Sequence, residues 1–138
     1  MEGVLKLPTT MLFAASALLA GCQSWGPAWS EVTGARYHRT TLHRMPAIIE
    51  RVDDRGSFSE PRGSPIRIDP GRRVLQLQGV PPSPGWHGGG TLQEFVLDAE
   101  PCKRYYVNAQ FENSLAFSRW TPVIDEVEPI AGCAVPAR

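Results

Sequence analysis

The three histidines of the chain, His38, His43 and His87, are the side chains best suited to bind a metal or to transfer protons near neutral pH. His38 and His43 lie five residues apart and could bind a metal together with a carboxylate. However, the chain has no C-x-x-C motif and no histidine at ligand spacing from its cysteines. The sequence therefore predicts no metal site, and a ligand- or metal-binding domain remains the alternative interpretation.

Two other patterns could belong to an enzyme. Asp53 and Asp54 form a carboxylate pair, but adjacent residues of a strand point to opposite faces, which fits a turn better than an acid–base pair. The glycines at 88–90 lack the Lys and Ser/Thr of a phosphate-binding loop and open no helix, and the chain contains no G-x-S-x-G motif. We therefore expect no catalytic residue and no cofactor.

The amino-terminal residues have the composition of a secretion signal. A short segment with one lysine, Lys6, precedes an apolar run over residues 11–20. A run of about ten residues is too short to span a membrane, which takes roughly twenty. Small residues end the run, as they do in secretory signals, and Cys22 follows them directly.

The sequence L-A-G-C at residues 19–22 resembles the lipobox of bacterial lipoproteins. The resemblance implies that residues 1–21 are removed and that Cys22 carries a diacylglycerol and an acylated amino terminus. Two or three acyl chains anchor a protein stably, whereas one chain is marginal. Gln23, at the second position, implies sorting to the outer membrane, on its periplasmic face. The alternatives are an ordinary signal peptide with a chance cysteine and an uncleaved anchor.

Composition narrows the range of partners. The 138-residue chain has 14 basic and 14 acidic residues and a formal net charge of zero. This balance argues against nucleic-acid binding and against electrostatic attachment to a membrane. We therefore expect attachment to the membrane through the lipid on Cys22, with an envelope protein or peptidoglycan as the candidate partner.

Two cysteines remain after Cys22 is assigned to the lipid. Cys102 and Cys133 are an even number in an oxidising compartment and are predicted to pair. The chain-entropy estimate for the loop that they close is about 3–4 kcal/mol of stabilisation. A metal site and a catalytic thiol are the alternatives.

Alternating and β-branched segments recur along the rest of the chain, separated by turns rich in Pro and Gly. The predicted strands lie within residues 31–40, 47–52, 66–68, 73–80, 91–98, 104–111 and 120–127. Residues 53–57 and 69–72 have turn compositions, and Pro70 and Gly71 fit a type II turn. Pro122 predicts an edge strand or a strand start.

No segment after residue 22 has a convincing helical period with caps. The predicted fold is all-β, a small antiparallel β-sandwich of the immunoglobulin-like or transthyretin-like kind. The predicted organisation is a signal peptide at 1–21, a lipidated tether at 22–30 and the sandwich at 31–138.

Aromatic residues supply the remaining candidates for contacts. Trp86 and His87 lie in a long Pro/Gly-rich connection, where an exposed tryptophan could contact a partner. Alternatively, Trp86 folds back over the open end of the sandwich. Trp29 could lie at the membrane interface or pack on the domain. Tyr105 or Tyr106 could bond back to the main chain as a structural corner.

Several segments together resemble a known group of proteins. They are I-E-R-V-D-D at 49–54, I-D-P-G-R-R-V-L at 68–75, P-C-K-R-Y-Y-V at 101–107, W-T-P-V-I at 120–124, and Cys133. They resemble small uncharacterised outer-membrane lipoproteins of Gram-negative bacteria with a PEGA-like or transthyretin-like β-sandwich. The resemblance covers about residues 45–133. It implies a non-catalytic binding or scaffold module on a membrane anchor.

Overall fold

A computed structural model describes residues 27–34, 40–56, 64–82, 91–113 and 119–135 of the chain. These residues form an all-β fold and contain no helix. In chain order the strands are β1 (Ser30–Thr33), β2 (Arg44–Val52), β3 (Arg55–Gly56), β4 (Ile66–Ile68), β5 (Gly71–Gly79), β6 (Leu92–Ala99), β7 (Lys103–Phe111) and β8 (Trp120–Pro129).

The eight strands form one mixed sheet. Its main path runs β4-β1-β7-β2-β5-β6, while β3 pairs with β2, and β8 pairs with the other edge of β7. Each neighbouring pair is antiparallel except β1 and β7, which are parallel. The two ends of the path, β4 and β6, do not pair with each other within the described residues, so the sheet is open there.

The parallel pair differs from the purely antiparallel arrangement that the sequence predicts. β1 and the start of β2 share one edge of β7, with β1 beside Arg104–Tyr106 and β2 beside Asn108–Gln110. Two strands in line along one edge can run in opposite directions, because neither pairs with the other. This arrangement depends on long-range register and has no local sequence signal.

The predicted strands are largely confirmed. Each of the seven segments overlaps a strand, and the strand in the first of them ends at Thr33. β3 occupies part of the predicted turn at 53–57, because the turn closes a short hairpin with the end of β2. Ser30, which the sequence assigned to the tether, begins β1 and is fully buried.

Turn chemistry also follows the sequence. Gly71 has a φ of 104°, which the third position of the predicted type II turn requires and which glycine adopts without a steric penalty. Tyr105 forms the predicted corner, since its hydroxyl accepts a hydrogen bond of 2.8 Å from the Glu100 N–H. Tyr105 therefore fixes the tight connection between β6 and β7.

The sheet has two parts, β4-β1-β7-β8 and β2-β5-β6, and the hydrophobic core contains side chains from both. Its fully or nearly buried members are Val32, Val52, Ile68, Leu75, Leu77, Leu97, Ala99, Tyr105, Val107, Ala109, Phe111 and Trp120. A close contact within the core lies at Gly79 of β5, where a Cβ atom would stand 2.9 Å from the Trp120 ring and 3.0 Å from the Phe111 ring. β5 therefore packs directly on the aromatic side chains of β7 and β8.

β7 is the central strand, and both of its faces are buried. Asn108 and Gln110 alternate with Val107 and Ala109, so they lie on the opposite face of the strand. However, Asn108 is 0% exposed and Tyr106 is also buried. The polar face of β7 is therefore an interior surface, and the polar groups on it need partners within the protein.

Candidate functional site

The disulfide lies where the chain joins the sheet at β1. Cys102 and Cys133 are bonded, with their Cα atoms 5.4 Å apart, as the sequence predicted. The Cys102 N–H donates a 2.7 Å hydrogen bond to the Trp29 carbonyl, and the Ile130 N–H donates a 3.0 Å bond to the Cys102 carbonyl. We call this region, residues 29–30, 100–102 and 130–133, the tether end.

Trp29 packs on the domain, which was one of its two predicted environments. The Arg67 guanidinium lies 4.1 Å from the centre of the indole ring, a cation–π geometry. The indole Nε1–H donates to the Glu31 carboxylate at 3.4 Å. The neighbouring Ser30 hydroxyl donates to the Glu100 carbonyl at 2.5 Å. Trp29 and Ser30 are thus attached to β4, to β1 and to the turn between β6 and β7.

A row of four charges crosses the polar face at the tether end. We call it the charged row; it consists of Arg67, Glu31, Arg104 and Glu128 on β4, β1, β7 and β8, aligned by the strand registers. Arg104 donates from Nε to Glu31 at 2.7 Å and from a terminal nitrogen to Glu128 at 3.2 Å. The Tyr106 hydroxyl also donates to Glu128.

The charged row stabilises the ionised form of Arg104. Its hydrogen bond to Glu31, followed by its contact with Tyr106, raises the pKa of the guanidinium above its usual value despite partial burial. The side chains of Arg104 and Glu31 are both largely buried, so their attraction is less screened than that of a surface pair. Chemically, the row joins strands, because the Arg104 guanidinium binds the carboxylates of Glu31 and Glu128.

A second polar cluster lies near the other end of β7. Arg44 donates from Nε to Gln110 at 2.8 Å and forms an ion pair with Asp125. Asp125 sits in a β-bulge, because Tyr106 pairs with Glu126 and Val107 pairs with Ile124, which leaves Asp125 between them. The bulge turns this carboxylate towards the polar face, where its side chain is only 5% exposed.

Asn108 lies between the two clusters. Its amide nitrogen donates to the Gly34 carbonyl at 3.1 Å, which ties the end of β1 to β7. Its side-chain oxygen is buried and has no hydrogen-bond partner within the described part of the chain. Neither cluster could be predicted from the sequence, because their members are up to 81 residues apart and meet only through the strand registers.

The opposite end of the sheet carries the longer connections. Residues 40–43 precede β2 there, residues 112 and 119 flank the β7–β8 connection, and residues 80–82 and 91 flank the β5–β6 connection. The Trp120 indole N–H donates to the Thr91 hydroxyl at 3.1 Å. We call this region the loop end. With nine residues in β7, it lies about 30 Å from the tether end.

Several predicted site residues lie outside the described part of the chain, namely Cys22, His38, Trp86 and His87. His43 is at the loop end with a φ of 58°, and its carbonyl accepts a 3.1 Å hydrogen bond from the Phe111 N–H. Within the described ranges, no three His, Cys, Asp or Glu side chains are grouped as a metal ion would require. None of the described segments is a helix long and apolar enough to cross a membrane.

Asp53 has the turn role that the sequence predicted. It adopts a φ of 50° after β2, and its carboxylate accepts hydrogen bonds from the Val74 N–H at 2.9 Å and from Arg73 at 3.0 Å. The hydrogen bond from Val74 is the main cause that lowers the pKa of Asp53, with a smaller contribution from Arg73. The ionised carboxylate therefore holds β5 against the end of β2.

We expect Asp53→Asn to lose stability in a pH-dependent way. Because the folded-state pKa is lowered, the ionised group stabilises the fold above its unfolded pKa of about 4, and this contribution disappears as the pH falls through the lower folded-state value. The difference between the free energies of unfolding of wild type and variant should therefore be largest at pH 7 and should decrease below about pH 4. Urea unfolding from pH 7 to pH 2 measures it.

Asp54→Asn is the matched control, since Asp54 is the exposed neighbour in the same turn. If the Asp53→Asn curve ran parallel to the wild-type curve at all pH values, the assigned role of the carboxylate would be wrong.

Comparisons of the chain with protein-family models, with curated proteins and with solved structures found no match.

Proposed function

We propose that the protein is a lipid-anchored lipoprotein of the cell envelope, held in the outer membrane through Cys22, whose domain is a non-catalytic interaction or structural module. The lipobox-like sequence at 19–22 supports the anchor. The disulfide between Cys102 and Cys133 supports an oxidising compartment, because such bonds persist outside the cytosol.

The observation that carries the proposal is that the tether end and the loop end lie at opposite ends of the domain. Only six residues, 23–28, lie between Cys22 and Trp29, and Trp29 is already hydrogen-bonded to Cys102 of the disulfide. Seven extended residues reach at most about 25 Å. A lipid on Cys22 would therefore keep the tether end close to the bilayer, and the loop end would face away from it. This arrangement suits a module that presents one end to a partner.

Several contacts at the tether end would stabilise it against a force transmitted from an anchor. β1 is bonded to both β4 and β7, and the charged row, the Trp29–Arg67 contact and the disulfide all lie at its start. A short strand that joins a lipid to a domain needs such reinforcement, because four residues of pairing alone contribute little.

For the fold, we propose that the two parts of the sheet are the layers of a β-sandwich, as in the PEGA-like or transthyretin-like lipoproteins that the chain resembles. The continuous core between them supports this, and so does the packing of Gly79 on Trp120 and Phe111. β2 would be the strand that passes between layers, since its first residues pair with β7 and its later residues with β5.

The test is the mass and location of the native protein beside a Cys22→Ala variant, expressed in a Gram-negative host. We expect the wild type to lose residues 1–21, to gain the mass of two or three acyl chains and to fractionate with the outer membrane. The variant should have no acyl mass and should be absent from the outer-membrane fraction.

A Gln23→Asp variant is the matched control. It should keep the acyl mass of the wild type but move to the inner membrane, because Asp at this position is the retention signal in the resemblance. A wild-type protein without acyl mass, or a Cys22→Ala variant that stays in the outer-membrane fraction, would overturn the proposal.

A further inference from the structure

The edges of the sheet differ in how well they are protected against pairing with another strand. Short strands, prolines and bulges protect an edge. β3 and β4 have two and three residues, and β8 contains Pro122 and the bulge at Asp125. β6 has none of these protections: it is eight residues long, lacks proline and pairs with β5 in an unbroken register from Leu92 to Ala99.

β6 also exposes apolar and acidic side chains in alternation. On its outer face lie Leu92, which is 59% exposed, Glu94, Val96, which is 38% exposed, and Asp98. On its inner face, Phe95 is only partly buried although it packs against the core. A further strand beside β6 would cover both Val96 and Phe95.

Among the described strands, only β5 pairs with β6. We propose that the other edge of β6 binds an extended segment of another protein, with lysine or arginine opposite Glu94 and Asp98 and an aliphatic residue opposite Val96. Main-chain hydrogen bonds would supply the pairing, and the alternate side chains would select the segment. The required pattern of cation, aliphatic and cation at every second position is symmetric, so it fits a parallel or an antiparallel segment.

The sheet already contains half of this arrangement. On the other side of β6, β5 places Arg72 opposite Asp98 and Val74 opposite Val96. Cross-strand pairs of opposite charge and pairs of aliphatic residues each stabilise a sheet. A partner segment with the proposed pattern would repeat on the free side the pairs that β5 makes on the bonded side.

A second copy of this chain fits the edge less well. In an antiparallel β6–β6 pair centred on Val96, Glu94 of each copy lies opposite Asp98 of the other. In the register centred on Glu94, the two Glu94 side chains oppose each other, and in the register centred on Phe95 each Glu94 lies opposite Val96 of the other copy, without a complementary cation. Like charges directly opposite are destabilising. The acidic residues of β6 therefore favour a basic partner over self-association.

This inference deepens the interaction role under "Proposed function" but does not depend on the lipid. The probe is a fluorescein-labelled synthetic peptide containing K-T-V-T-K, titrated at low salt into the purified full chain in detergent micelles. A peptide with E-T-V-T-E is the charge-reversed control. We expect saturable binding of the basic peptide that weakens as salt is added, because exposed charges are screened.

The variant Glu94→Lys/Asp98→Lys should weaken binding of the basic peptide by about tenfold or more and should instead bind the acidic peptide. Asp54→Lys/Asp69→Lys changes the net charge equally on two exposed turns away from β6 and should bind like the wild type. Amide exchange with the basic peptide bound should show added protection over residues 92–98.

Three outcomes would overturn the inference: no saturable binding to the wild type, equal losses in the two double variants, or protection over residues 120–129 of β8 instead of β6. Concentration-dependent dimers of the wild type that Glu94→Lys/Asp98→Lys abolishes would point to a second copy and would overturn it too. Each of these results is independent of the Cys22→Ala experiment, so the anchor and the binding edge can fail separately.

Discussion

Removing the disulfide, by the double variant Cys102→Ser/Cys133→Ser, is expected to lower the free energy of unfolding by about 3–4 kcal/mol. The bond closes a loop with a sequence separation of 31 that contains all of β7 and β8. Without the bond the unfolded chain gains the freedom of that loop, which stabilises the unfolded state. A loss of this size is a large fraction of the stability of a small domain.

The structure makes the reason for the loss specific. Cys102 has a φ of 61°, in the left-handed region that β-carbon-bearing residues rarely adopt. Serine keeps a Cβ atom, so the backbone cost at residue 102 is the same in wild type and variant. The Cys102 N–H bond to the Trp29 carbonyl also involves only main-chain atoms. The measured difference therefore reports the cross-link and not the turn.

Urea unfolding at pH 7, followed by tryptophan fluorescence, measures the effect. Wild-type protein unfolded in a reducing agent is the internal control, and its curve should coincide with that of the double variant. A double variant within about 1 kcal/mol of the oxidised wild type would show that the loop closed by the bond is already ordered in the unfolded chain.

The strands themselves could be predicted from the sequence, because period-two alternation and turn residues are local signals. The segment at 104–111 became β7, the type II turn put Gly71 at positive φ, and Pro122 lies in a strand that has one neighbour among the described residues. The pairing of Cys102 with Cys133 could be predicted as well, since no other pair remained once Cys22 was assigned to the lipid.

The order and direction of the strands could not be predicted. The parallel placement of β1 beside β7 depends on how far β2 extends along the same edge, and no residue of β1 encodes that length. The burial of Asn108 has the same cause, because alternation tells which residues share a face but not whether that face is covered. The face of β7 that carries Asn108 is an interior surface with its own hydrogen bonds.

The charged row was equally out of reach, because its ion pairs join residues from strands far apart in the sequence. Glu31 and Arg104 are 73 residues apart and meet only because β1 and β7 are in parallel register. Glu31 and Arg104 were each unremarkable in the sequence. Their contact helps to attach β1 to β7. The proposed anchor would pull on β1.

Gly34→Ala is expected to destabilise the protein by about 3 kcal/mol or more, because the added methyl group meets main-chain atoms that cannot rotate away. A Cβ at this position would stand 1.8 Å from the Ala47 carbonyl oxygen and 2.7 Å from its carbon. Relief requires the end of β1 to move from β2. That movement breaks the 3.2 Å bond from the Ala47 N–H to the Gly34 carbonyl, and the bond from the buried Asn108 amide.

Gly56→Ala is the matched control, since the nearest atom to its added Cβ is the flexible Arg51 side chain at 3.2 Å, and the residue is exposed. Its free energy of unfolding should stay within about 0.5 kcal/mol of the wild type. Because Gly34 directly follows β1, the Gly34→Ala variant should also lose amide protection first over residues 30–34, before the rest of the sheet. Equal stability of the two alanine variants would show that the main chain at Gly34 lies farther from Ala47 than these distances indicate.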